Sequence, residues 1–178
     1  LTEKNWNDIS VEVTYLSDEI DIERQENLSE TRVTIKDKKT GEILRTVGEI
    51  TNLLRTNYNK TIYEEYDCGR GIKPRLYGDI LMYFSGSFHE IVKATNIYWK
   101  EASSGGWKLK EKQSGWTKMA PNRFEVYGNA IVTVESTSEV SMGASFSMFE
   151  GLGFDMSGSS SSTWHARKII NGGFVYKI

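Results

Sequence analysis

From Val140 to Met148 every second residue is apolar. Val140, Met142, Ala144, Phe146 and Met148 alternate with Ser141, Gly143, Ser145 and Ser147. A period of two fits extended backbone with one apolar face and one small polar face, and does not fit a helix. A glycine-bearing break, Phe149-Glu150-Gly151-Leu152-Gly153, separates this arm from a second, Ser-rich arm running from Phe154 to Thr163. Together the arms predict a long C-terminal β-hairpin.

The same period recurs along the chain. Ile9, Val11, Val13 and Tyr15 share a face after a polar lead-in, Leu1 to Asp8. Thr31 to Lys36 and Glu42 to Val47 flank Asp37-Lys38-Lys39-Thr40-Gly41, a hairpin in which Gly41 supplies a positive φ. Leu76 to Phe84 and Phe88 to Lys100 read as strands interrupted by Ser85-Gly86-Ser87. Phe124, Val126, Ala130, Val132 and Val134 line one face of a further strand, with Gly128 marking a bulge or a close backbone approach. Ser103-Ser104-Gly105-Gly106, Ser114-Gly115 and Asn171-Gly172-Gly173 read as turns. Ser17 to Glu30 is acidic and weakly patterned, a loop or an extended edge. Glu49 to Thr56 is the best helix candidate.

The sum is about nine to eleven strands with at most one or two short helices. The expected fold is all-β and antiparallel, a β-sandwich or an elongated twisted sheet carrying the Ser-rich hairpin. The 178 residues suit one domain over 1–178, elongated or compact.

Little in the chain has the grammar of catalysis. Cys68 is the only cysteine, so an intramolecular disulfide is excluded. No motif joins Cys68 to His89 or His165 as nucleophile and base. The two histidines and the cysteine lack metal-ligand spacing, and Asp18, Glu19, Asp21 and Glu23 lack a calcium-loop pattern. Neither Gly158 before Ser159 to Ser162 nor Gly69-Arg70-Gly71 opens a helix, as a phosphate loop requires. No carboxylate pair stands out by spacing. The expectation is no catalytic residue, no metal and no cofactor.

Charge is uneven around a net value of -2. Leu1 to Thr31 holds nine acids and two bases, whereas Lys93 to Arg123 holds seven bases and two acids. A net negative chain argues against a general nucleic-acid binder. Trp99, Trp107 and Trp116 fall within the basic stretch, beside Lys108 and Lys110. Aromatics beside lysines stack on sugars or settle at an anionic lipid surface. Alternation also allows these rings to pack in the core, with the lysines on the wet face. The candidate ligand-binding set is Trp99, Trp107, Trp116, Lys108 and Lys110, for a glycan, an anionic membrane surface or another protein.

The segment Thr137 to Thr163 resembles the Ser/Thr-rich insertion hairpin of aerolysin-type β-pore-forming toxins. The likeness lies in residue classes, apolar alternating with Ser and Gly over the length of a barrel strand. Ser157 to Thr163 departs from it, having almost no alternating apolar residue. The resemblance implies membrane insertion led by Met148, Phe149, Leu152 and Phe154, with self-association into a homo-oligomer. The preferred expectation is an exported, non-catalytic binding protein of bacterial type, secreted or at the cell surface. Its start at Leu1 reads as removal of a leader peptide.

Overall fold

The computed structural model describes residues 2–6, 9–13, 18–50, 59–85, 87–136, 148–160 and 163–178. Within them are twelve strands: β1 (Thr2–Trp6), β2 (Ile9–Val13), β3 (Ile20–Glu26), β4 (Glu30–Asp37), β5 (Ile43–Ile50), β6 (Asn59–Glu65), β7 (Pro74–Ser85), β8 (Phe88–Glu101), β9 (Trp107–Ala120), β10 (Arg123–Ser136), β11 (Asp155–Ser160) and β12 (Thr163–Lys177). A single helical turn spans residues 148–151. All strand pairings are antiparallel. The all-β, antiparallel expectation therefore holds.

Strands β3 to β8 form a six-stranded meander in chain order, and β11-β12-β10-β9 form a four-stranded sheet. β1 and β2 pair separately, the first of them within the expected lead-in. The two larger sheets share one core. From the meander come Val33, Ile35, Val47, Ile62, Leu76, Ile80 and Ile91; from the other sheet come Leu109, Phe124, Val126, Val132, Trp164, Phe174 and Tyr176. Each of the large side chains contributes ~1.5–3 kcal/mol through burial. That explains why strands with one wet face suffice.

The chain changes sheets between β8 and β9, at the expected Ser103 to Gly106 turn. The two strands stay neighbours across the corner. Ser114 Oγ donates to Ile97 O at 2.9 Å, the Ile91 N–H donates to Pro121 O at 2.7 Å, and Lys118 pairs with Glu90 at 2.8 Å.

Two sequence expectations are corrected. Gly115 does not turn the chain but lies within β9. Asn171-Gly172-Gly173 lies within the continuous strand β12. These glycines clear space for aromatic rings. A Cβ on Gly172 would overlap the Tyr66 ring, with Cζ at 2.6 Å, and one on Gly115 would stand 2.8 Å from the Tyr127 ring. Of the two readings of the acidic stretch after Ser17, the extended edge is the one that forms: β3 is the edge strand of the meander, fixed to β4 by Ile20 burial and a Glu23–Lys36 ion pair of 2.7 Å. The Asp37–Gly41 hairpin forms as expected, with Gly41 at φ 72°.

The alternation from Val140 to Ser147 lies outside the described residues, as do residues 51–56 of the helix candidate; β5 runs through Ile50. Met148, the last member of the alternating set, sits in the helical turn rather than in a strand. The second arm is extended, and its described partner is β12.

Candidate functional site

The sheet divides the expected Trp/Lys set. In β9, Trp107 lies opposite Val134 and Leu109 opposite Val132 on the inner face, whereas Lys108 lies opposite Thr133 and Lys110 opposite Ile131 on the outer face. Trp107 is 3% exposed and Trp99 on β8 is 4% exposed. The Trp99 indole N–H donates to the Gln113 carbonyl at 3.0 Å, tying β8 to β9. Trp116, opposite Val126, meets Phe124 edge-on at 6.0 Å between ring centroids and remains 36% exposed at the sheet edge. The period of two thus places rings and ammonium groups on opposite sides of one strand. Trp99 and Trp107 are core residues, and the five do not form one contact surface.

The membrane set is likewise docked. Phe149 and Phe154 are buried and meet edge-on at 5.2 Å, with Trp164 5.4 Å from Phe149. Leu152 fills the space beside Gly69, whose φ is 85°. Its carbonyl accepts from Lys168 Nζ at 2.8 Å, and Arg70 stands over the Phe149 ring at 5.8 Å. Met148 is partly exposed and accepts through Sδ from Arg70 at 2.8 Å. Insertion led by these residues would first have to undo that packing.

Cys68 is buried at the start of the same loop, and burial pushes its thiol up to about 11. That opposes thiolate chemistry at neutral pH. Among the described residues no three His, Cys, Asp or Glu side chains gather as a metal-ligand set.

The outer face of the meander carries a cross-strand row that residue patterning did not reveal: Arg32, Gly48, Tyr63, Tyr77 and Tyr98 in register. Tyr77 and Tyr98 stack at 5.2 Å and 9°. Arg75 lies over the Tyr63 ring at 4.2 Å, and Tyr63 donates its hydroxyl to Glu30. Arg32 and Arg75 both grip Glu65, each at 2.6 Å. Burial alone would raise the Glu65 carboxyl, but the two guanidinium groups outweigh it and hold the carboxyl below its usual range. Between the sheets, Arg45 pairs with Glu64 at 2.8 Å and donates to Gly173 O at 2.6 Å. Here desolvation wins and raises the Glu64 carboxyl. The charges of both networks are paired internally, although Arg45 Nε is buried without a hydrogen-bond partner.

The outer face of the four-stranded sheet is different. Its register aligns Gln113, Asn129 and Asn171 across β9, β10 and β12. One step along, Tyr127 is flanked by Gly115 and Gly173. The Tyr127 ring crosses over Gly115 and is 45% exposed. Among the described residues, no intramolecular hydrogen bond is made by the three side-chain amides, all of which are exposed. A recess of about 400 Å³ runs among Gln113, Ser114, Tyr127, Asn129 and Asn171. This aromatic-and-amide group is an open polar surface among the described residues. Sequence reasoning missed it because its members come from three separate strands. The one legible signal was alternation, which put Tyr127 and Asn129 opposite Val126 and Ala130.

No family model matches the chain, and no match is found among curated proteins or solved structures.

Proposed function

We propose that this chain is an exported, non-catalytic binding protein that takes a glycan on the outer face of its four-stranded sheet. The observation that carries the reading is the pairing of exposed Tyr127 with the unengaged amides of Gln113, Asn129 and Asn171. A sugar ring has an apolar C–H face and a rim of hydroxyls, each both donor and acceptor. A tyrosine presents the matching apolar surface with a polar tip. A side-chain amide supplies donor and acceptor together, which suits vicinal hydroxyls. The sheet register sets the spacing of these residues in advance, so no backbone ordering opposes binding.

The contact surface thus moves from the tryptophans to Tyr127, while Lys108 and Lys110 stay on the same face. A glycan array probed with wild type, Tyr127→Ala and the pair Asn129→Ala/Asn171→Ala tests the reading. Wild-type binding should fall at least tenfold in each variant, with the near-ultraviolet circular dichroism of the core unchanged. Binding that is equal in all three proteins would place the contact elsewhere.

A further inference from the structure

Along the same outer face, four residues beyond Asn129 and about 13 Å away at the usual rise of a strand, lies a second recess. It measures about 390 Å³ and is lined by Gly106, Lys108, Lys110, Thr133 and Glu135. Its floor is Thr133. That residue lies in register between Lys108 of β9 and Arg167 of β12, on the wet side of the sheet, yet is only 5% exposed. Its hydroxyl is buried and makes no hydrogen bond. A buried hydroxyl without a partner is uncommon, because desolvating it costs about 1–3 kcal/mol.

The charges around it favour an anion. Lys108 makes no close ion pair among the described residues; it contributes at longer range to the field on Glu101. Lys110 reaches Glu135 at 3.3 Å, an exposed pair, and Glu135 also lies 3.8 Å from His165 Nδ1. Arg167 reaches Glu111 at 3.5 Å. Three cations therefore surround Thr133. Of the two carboxylates nearby, Glu135 borders the recess and competes for Lys110.

We infer that Lys108, Lys110 and the Thr133 hydroxyl form an oxyanion site for a sulfate or carboxylate group borne by the glycan. The inference rests on the glycan reading above and narrows the ligand to an acidic saccharide. Thr133 donates one hydrogen bond to the anion, and the lysines supply charge-assisted bonds. Lys110 exchanges Glu135 for the ligand. Tyr127 and the amides hold the neutral part of the chain.

The test uses matched glycan pairs, identical except for sulfate or uronate groups, together with inorganic sulfate titrated into ¹⁵N-labelled protein. Wild type should prefer the acidic member about tenfold or more. Lys108→Gln/Lys110→Gln and Thr133→Val should each remove most of that preference while leaving neutral-glycan binding within twofold. Glu135→Gln should strengthen acidic-glycan binding. Neutral binding with no acidic preference in wild type overturns the oxyanion site and leaves the platform standing. Absence of all glycan binding overturns the platform. In that event, sulfate-dependent amide shifts at Lys108 and Thr133, lost in Thr133→Val, still support the oxyanion site, and their absence overturns it.

Discussion

At Gly128 the four-stranded sheet lies tight against Trp99 and Leu76 of the meander, and Gly128→Ala measures that contact. Its φ is not positive, so an added methyl meets no backbone strain of its own. What it meets is steric: the Gln113 carbonyl oxygen at 2.7 Å, Trp99 Nε1 at 2.8 Å and Leu76 Cδ1 at 3.2 Å. The first two are the acceptor and donor of the 3.0 Å hydrogen bond that ties β8 to β9. One contact is backbone inside a paired strand, and the other is a buried indole, so neither yields cheaply. Overpacking of this kind costs ~1–3 kcal/mol. Leaving the indole N–H unpaired adds ~1–3 kcal/mol. The lower chain entropy of alanine in the unfolded state returns ~0.4–1 kcal/mol. The net loss is roughly 1–6 kcal/mol with a midpoint of about 3 kcal/mol, which at ~2–4 °C per kcal/mol for a chain of this length lowers Tm by roughly 6–12 °C at the midpoint. Thermal and urea unfolding followed by tryptophan fluorescence read the change. Gly106→Ala is the control, because its Cβ would meet nothing within 4 Å; it should be neutral or slightly stabilising. A Gly128→Ala protein with Tm within about 2 °C of wild type would refute the close approach at this point.

Three further outcomes follow from the same structure. Glu65→Gln strands Arg32 and Arg75 beside a neutral group and should cost about 2–3 kcal/mol, below the full buried-pair value because both arginines are partly exposed. Because the Glu65 carboxyl is held below its ordinary 4.5, its contribution is full above that value and disappears as pH falls through the lowered one; acid unfolding of Glu65→Gln should accordingly show a shallower pH dependence than wild type. Cys68, buried with its thiol near 11, should resist iodoacetamide at pH 8 in the native protein and react promptly in urea; fast native labelling would show an open loop. Phe149→Ala and Phe154→Ala should each cost about 3–5 kcal/mol in urea unfolding, whereas near-neutral values would mean that the turn over 148–151 is not part of the core.

Some of this was legible without coordinates. The period of two in Phe124 to Val134 fixed both the strand and its buried face. Asp37 to Gly41 specified its hairpin through local backbone chemistry, and Trp107 and Leu109 already opposed Lys108 and Lys110. Such features depend on neighbours in the chain, so the chain displays them. Glycine was the misleading residue. Gly115, Gly172 and Gly173 carry the local mark of a turn, but Gly115 and Gly172 sit in strands because a ring from elsewhere occupies the space a side chain would need.

Which strands pair, and in what register, was not legible. Register alone aligns Gln113, Asn129 and Asn171, sets Tyr127 between two glycines, and closes Lys108 and Arg167 around Thr133. The sequence by itself determined an antiparallel all-β chain and the face on which each side chain of a strand falls, because a pleated backbone alternates wherever it is placed. Only the tertiary structure decided which alternating faces meet one another and which meet water, because that choice is made by burial between segments far apart in sequence.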